Sequence, residues 1–244
     1  MRRIAMLMVS LLALTLAVGA RAQSRDALPV AAQDALLHVI AHEIGHAVLR
    51  EFDLPILGPE EAIADDFATV YLHMMLPGRL PAIVAAHARH TMADDDVPGP
   101  FSEYRSDRRR AGRAVCLAYG LDPDRHAGLA RDFGLGGAAA ATCRDFATEV
   151  ARGWRRTLAP YLMPPDARVT EVGMTVDDGD PMARAFADSP AHAEAERLLR
   201  AIDWHSRVTL ALSQCDGSAG WSRGERRITV CGAYIARLAR HFDL

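Results

Sequence analysis

Apolar residues recur at three- and four-residue spacing through most of the chain. The pattern predicts helices over about 32–51, 60–76, 80–91, 103–119, 123–133, 138–158, 181–202 and 233–242. Pro55, Gly58 and Pro59 separate the first two helices, Pro77-Gly78 ends the second, and the acidic stretch 94–100 reads as a loop. Glu60, Glu61, Asp65 and Asp66 place negative charge in the opening turns of the second helix, where the helix dipole favours it. The period changes beyond Pro160, Pro164 and Pro165. VTEVGMTV (169–176) alternates as a strand does, and RVTLALSQ (207–214) and RRITVC (226–231) are β-rich runs around a Gly/Ser loop, which predicts a hairpin. The expected fold class is α+β, mostly α-helical, with a small C-terminal β-hairpin element.

The N-terminus departs from this pattern. Arg2 and Arg3 precede an apolar run from Ile4 to Val18, and Ala20-Arg21-Ala22 follows as an A-x-A cleavage pattern. This reads as a bacterial secretory signal peptide over 1–22, its apolar run too short for a comfortable membrane span. The expected organisation is therefore a signal peptide followed by a single domain over 23–244, in a periplasmic or secreted protein with no stable membrane span after cleavage.

Composition narrows the partners. Half of the 244 residues are hydrophobic, enough for a sizeable core, and the positive charge is all arginine. Formal net charge is −3, with no basic stripe interleaved with aromatics, which argues against nucleic acid as a partner. Arg108-Arg109-Arg110 and Asp94-Asp95-Asp96 read as solvated faces. Trp154, Trp204 and Trp221 read as core or interface anchors. Export also changes how the cysteines read: four lie in the mature chain, and in an oxidising compartment the default is two disulfides. Of three possible connectivities, Cys116–Cys143 with Cys215–Cys231 closes the shortest loops and suits the neighbouring elements.

The chemistry concentrates in the first two helices. His42-Glu43-Ile44-Gly45-His46 matches H-E-x-x-H, and on a helix positions i and i+4 share a face, so His42 and His46 can share one cation. Catalytic zinc takes three protein ligands and a water, and Glu43 is placed to take a proton from that water. Glu61-Ala62-Ile63-Ala64-Asp65 on the next helix places Glu61 and Asp65 on one face as well. Glu61 can complete a His/His/Glu set, and Asp65 can fix the tautomer of a ligand histidine. Glu60 reads as an exposed carboxylate at the helix start. His38 shares the face of His42, but a straight helix does not easily converge three turns on one ion, so it reads as a supporting or exposed residue. His73, His87 and His90 read as solvent-facing, with Tyr234, His192 and His205 as weak candidates for stabilising an oxyanion.

HEIGHAV followed by LPILGPEEAIADD resembles a zinc-peptidase-like family of exported bacterial proteins and, more broadly, the gluzincins, whose thermolysin-type pattern is H-E-x-x-H and then E-x-x-x-D. The resemblance continues through CLAYGLDPDRH (116–126) and Cys143 into the segment bearing Cys215 and Cys231. It implies a zincin-like helical domain, a Zn2+ cofactor held by His42, His46 and Glu61, Glu43 as general base and acid, and Asp65 as the hydrogen-bonding support. The chain departs from the family pattern in the C-terminal segment, where Ser218 stands near an expected Asn and Gly232-Ala233 follow Cys231 in place of a Tyr-Glu pair, leaving Tyr234 as the nearest tyrosine. The expected function is a zinc metalloendopeptidase that hydrolyses peptide or protein substrates with a metal-activated water. The alternative is a catalytically inactive zinc-binding envelope or interaction domain of the same fold.

Overall fold

The computed structural model describes residues 27–93, 106–164 and 172–243. The expected signal peptide and the 94–100 loop lie outside these residues. Nine helices are described: α1 Val30–Glu51, α2 Glu60–Met75, α3 Leu80–Ala93, α4 Asp107–Leu121, α5 Ala127–Asp132, α6 Gly137–Leu158, α7 Pro181–Ala187, α8 Pro190–Arg200 and α9 Gly232–Phe242. The strands are β1 Gly173–Val176, β2 Thr209–Ser213, β3 Ala219–Ser222 and β4 Arg227–Cys231. The protein is thus mostly helical with a small mixed sheet near its C-terminus.

Helix α1 is the axis of the molecule. It is buried on nearly all sides from Ala32 to Leu49, packed by α2, α3, α8, α9 and the edge strand β3. A helix apolar almost all round belongs in a core, and Leu36, Leu37, Ile40 and Ile44 are fully buried there. Polar exceptions inside such a helix are costly unless they have partners, which makes His42 and Glu43 conspicuous. Gly45 determines how closely α2 can approach, because a Cβ at this position would lie 3.0 Å from Phe67 Cδ1 and 3.2 Å from the Ala64 Cα. The same device recurs between α4 and α6. A Cβ on Gly120 would meet the Cys143 carbonyl oxygen at 2.2 Å, beside the Cys116–Cys143 disulfide that staples the two helices.

Two expected elements differ in the structure. The run 181–202 is two helices, because Asp188 and Ser189 cap and interrupt it and Pro190, which lacks an N–H, starts α8. The runs 207–214 and 226–231 do not form a hairpin with each other. They are parallel neighbours, with Thr209 opposite Arg227 and Ser213 opposite Cys231. The hairpin is β3–β4, formed because AGWS, inside the presumed loop, is itself a strand antiparallel to β4. Sheet order is β1-β2-β4-β3, which leaves β3 as an edge against α1. The Cys215–Cys231 disulfide ties the chain beyond β2 to the end of β4 and so anchors the approach to this edge.

Candidate metal centre

Helices α1 and α2 run antiparallel across the turn 52–59, and this direction decides which groups meet. The nearest ligand atoms of His42, His46 and Glu61 all lie within 4.8 Å of one another. His42 Nε2 and His46 Nε2 are 3.1 Å apart, and each is 3.3 Å from a different oxygen of Glu61. The opposite ring nitrogens are also engaged. His42 Nδ1 is 2.9 Å from Asp65 Oδ1, and His46 Nδ1 is 2.9 Å from Glu60 Oε1. A carboxylate accepts, so each Nδ1 is assigned the proton and the Nε2 lone pairs are turned toward each other and toward Glu61. Two lone pairs and a carboxylate at this separation require positive charge between them. A proton can supply it in the bare protein and a metal ion in the loaded one, so the donor set fits a divalent metal with nitrogen and oxygen ligands.

The electrostatics carry the same signature. Burial disfavours a charged His42, yet hydrogen bonds to Asp65 and Glu61 outweigh it and pull the imidazole up to about 9. His46 is raised as well, with burial again outweighed by Glu61 and Glu60. Glu61 and Asp65 resist the upward push of burial because the imidazoles, and for Asp65 also Arg110, hold them well below the usual carboxylate range. Glu43 goes the other way. Burial raises it, and the partial offset comes from the two histidines and from the backbone N–H of Trp221, which donates to it. A carboxyl with raised affinity for a proton, beside the two imidazoles of the candidate metal group, can accept one from water.

Three supporting residues escape the helical same-face argument. Glu60 is not exposed: its side chain is 15% accessible and holds His46 while bonding Arg50, whose Nε lies 3.2 Å away. Antiparallel docking explains it, since the earlier carboxylate of α2 meets the later histidine of α1 and Glu61 falls between Glu60 and Asp65. Arg110 leaves the presumed solvated run and grips Asp65 with two hydrogen bonds of 2.9 Å. Arg113, one turn on, does the same to Asp66 at 2.6 Å. Each histidine of the candidate group is thus backed by a carboxylate and that carboxylate by an arginine, a buried pair behind His42 and a more accessible one behind His46.

The centre opens into a cavity of about 700 Å³ whose floor follows α1 from Val39 to Arg50. Glu43, Trp221, Tyr234, His87 and His90 face it. His87 is therefore not solvent-facing. It is buried and stacked on His38, ring centroids 3.7 Å apart, because α3 packs directly on α1. Both His38 nitrogens and His87 Nδ1 lack a protein partner, and burial holds His38 down to about 3. His192 packs on Phe186 and His205 on Phe52, and neither lines the cavity. Trp221 does more than anchor the core, since its main chain touches Glu43, while Trp204 is a core residue.

A protein-family profile described as "Putative metallopeptidase" (DUF4344) matches residues 3–158. The chain belongs to that family. The matched region holds His42, Glu43, His46, Glu60, Glu61, Asp65 and Arg110, and it ends where α6 ends. The cavity wall formed by Trp221 and Tyr234 lies beyond it. No curated protein and no solved structure matches the chain.

Proposed function

We propose that this member of the family is an exported zinc metalloendopeptidase, with His42, His46 and Glu61 as ligands and Glu43 as the proton-transfer residue. The observation that carries the reading is the convergence of a His/His/Glu donor set beside a buried carboxyl, in a cavity that continues on both sides of the centre along α1. A cavity bordered by α1 on both sides of the centre suits an extended chain cut internally. Zinc is favoured among divalent metals by two imidazoles and one carboxylate. Two disulfides fit an oxidising compartment, and among the described residues no helix is long and apolar enough to cross a membrane.

Bound zinc would polarise the scissile carbonyl and acidify the attacking water. Glu43 receives the proton from that water and passes it to the leaving amine, its N–H contact with Trp221 holding the carboxyl toward the cavity. Asp65 and Glu60 keep both ligand imidazoles in the tautomer that presents Nε2. Tyr234, on the opposite wall, is the candidate donor to the developing oxyanion.

The test compares wild type with Glu43→Gln on a mixed peptide library after measuring metal content. The wild type should hold one zinc per chain and cleave. The variant should hold zinc and lose about 10²–10⁴ in kcat/KM. Zinc retention by both without cleavage by either would support the inactive zinc-binding alternative instead.

A further inference from the structure

Three arginines line the cavity, and they are not equally committed. Arg110 spends two hydrogen bonds on Asp65, and Arg50 is bound to the same Glu60 that holds His46. Arg223 differs. Its partner is Asp53, at a single N–O distance of 3.1 Å, and the two side chains are 60% and 83% accessible. An exposed pair of this kind contributes about 0–1 kcal/mol, so replacing Asp53 by another carboxylate costs little.

Position gives this loosely held cation its meaning. Arg223 directly follows β3, the edge strand whose Trp221 N–H reaches Glu43. A peptide lying in the cavity past Glu43 toward the C-terminal end of α1 runs into Arg223. Away from that end the described lining includes Val39, Thr91 and Tyr234, with Asp107 of α4 also facing the cavity. The cleft is therefore asymmetric along its length, with an exchangeable guanidinium toward the C-terminal end of α1.

We propose that Arg223 is a specificity residue that receives a carboxylate of the peptide substrate, with Asp53 occupying its guanidinium until substrate displaces it. The proposal takes its ligand class from the peptidase reading. The carboxylate can come from an acidic side chain or from a peptide C-terminus, and both present the same planar pair of oxygens to a guanidinium.

The experiment uses the zinc-loaded full chain and blocked peptides in which Glu and Gln alternate at each position, each made with a free or an amidated C-terminus. Paired peptides compete in one tube, and the ratio of their kcat/KM values is read by mass spectrometry. The expected result is a reproducible preference, up to about fivefold, for the carboxylate at one subsite, the upper limit being set by an interaction of about 1 kcal/mol. A Glu-over-Gln preference assigns it to a side chain, and an acid-over-amide preference to the C-terminus. Arg223→Gln should bring the ratio to about one, and Arg223→Glu should invert it in favour of the uncharged member of each pair. Asp53→Asn should raise it, because it frees Arg223 while keeping a residue that accepts the left-handed φ of 49° found at this position. The same peptides, dye-labelled, are titrated into Glu43→Gln protein, where capture is read without hydrolysis.

Cleavage with an unchanged ratio in Arg223→Gln overturns the assignment and leaves the peptidase reading standing. Discrimination in binding that is lost in Arg223→Gln, without cleavage by wild type, supports the assignment and overturns the peptidase reading. Neither binding nor cleavage of any peptide overturns both.

Discussion

Glu43 and His42 are neighbours in the chain with opposite tasks, and their surroundings separate them. Burial pushes Glu43 toward holding a proton, while the carboxylates behind His42 make it cationic in the bare protein. The sign of the resulting pH dependence follows. A histidine raised from 6.5 to about 9 contributes stability in full below pH 6.5, and that contribution is lost as pH rises through about 9. Asp65, depressed from 3.8, contributes above that value and loses its contribution as pH falls through its folded value. Calorimetry of chelator-stripped protein should therefore show a lower Tm at pH 9 than at pH 6.5, and a fall in acid as well. Because a metal ion must displace the His42 proton, apparent zinc affinity should rise about tenfold per pH unit up to about pH 9. Glu60 provides a test at the same scale. Glu60→Gln weakens the acceptor behind His46 and should cost about 10–100-fold in zinc affinity by chelator competition, as should Asp65→Asn, whereas a surface carboxylate such as Glu149 should cost nothing. The candidate group of His42, His46 and Glu61, with Glu43 beside it, was legible because these residues sit at fixed intervals on single helices. Glu60 and Arg110 were not, since their roles depend on the direction in which a second helix docks and on a fourth helix reaching Asp65.

At the scale of elements, the α1–α2 contact is the framework of the centre. Gly45 lies inside the motif itself, and its missing side chain is filled by Phe67 and Ala64. Gly45→Val should force the helices apart, destabilising the fold by about 1–3 kcal/mol and lowering zinc affinity, because Glu61 moves with α2. Denaturant unfolding with a parallel metal titration checks both effects. The sheet is governed by a different constraint. The Cys215–Cys231 loop spans 16 residues, and replacing both cysteines with serine should cost about 3 kcal/mol. Hydrolysis should suffer more than metal binding, because the bridge restrains the approach to β3 and leaves the ligands on α1 and α2 untouched. Strand alternation in 207–214 and 226–231 identified strands but not neighbours, since pairing partners carry no local signal. AGWS was missed as a strand because three of its four residues are small, which leaves no alternation to read.

At the scale of the whole molecule, the centre draws on both ends of the chain. The helical part that supplies the ligands lies within the family match, and the sheet and α9 that form the facing wall do not. Mostly helical architecture followed from the long 3.6-residue periodicity, and the short strands near the C-terminus from the change of period. What the periodicity could not reveal is that these distant parts close on α1 from opposite sides. Such a division predicts that substitutions in the wall leave the metal content at one per chain, Arg223 altering which peptides are handled and Tyr234 the rate at which any peptide is cut, whereas substitutions at Glu61 or Asp65 alter the metal content first.

The contact between Glu43 and the Trp221 N–H spans most of the described chain, and synthesis is directional. Helices α1 and α2 are complete once residue 75 has been made, while Trp221 follows on the order of ten seconds or more later at ordinary elongation rates. For that interval the emerging chain has its three candidate ligands but not the strand that contacts Glu43. On the proposed peptidase reading, a chain assembled in this order would complete its candidate metal group well before the strand that aligns Glu43, so metal binding would precede cutting.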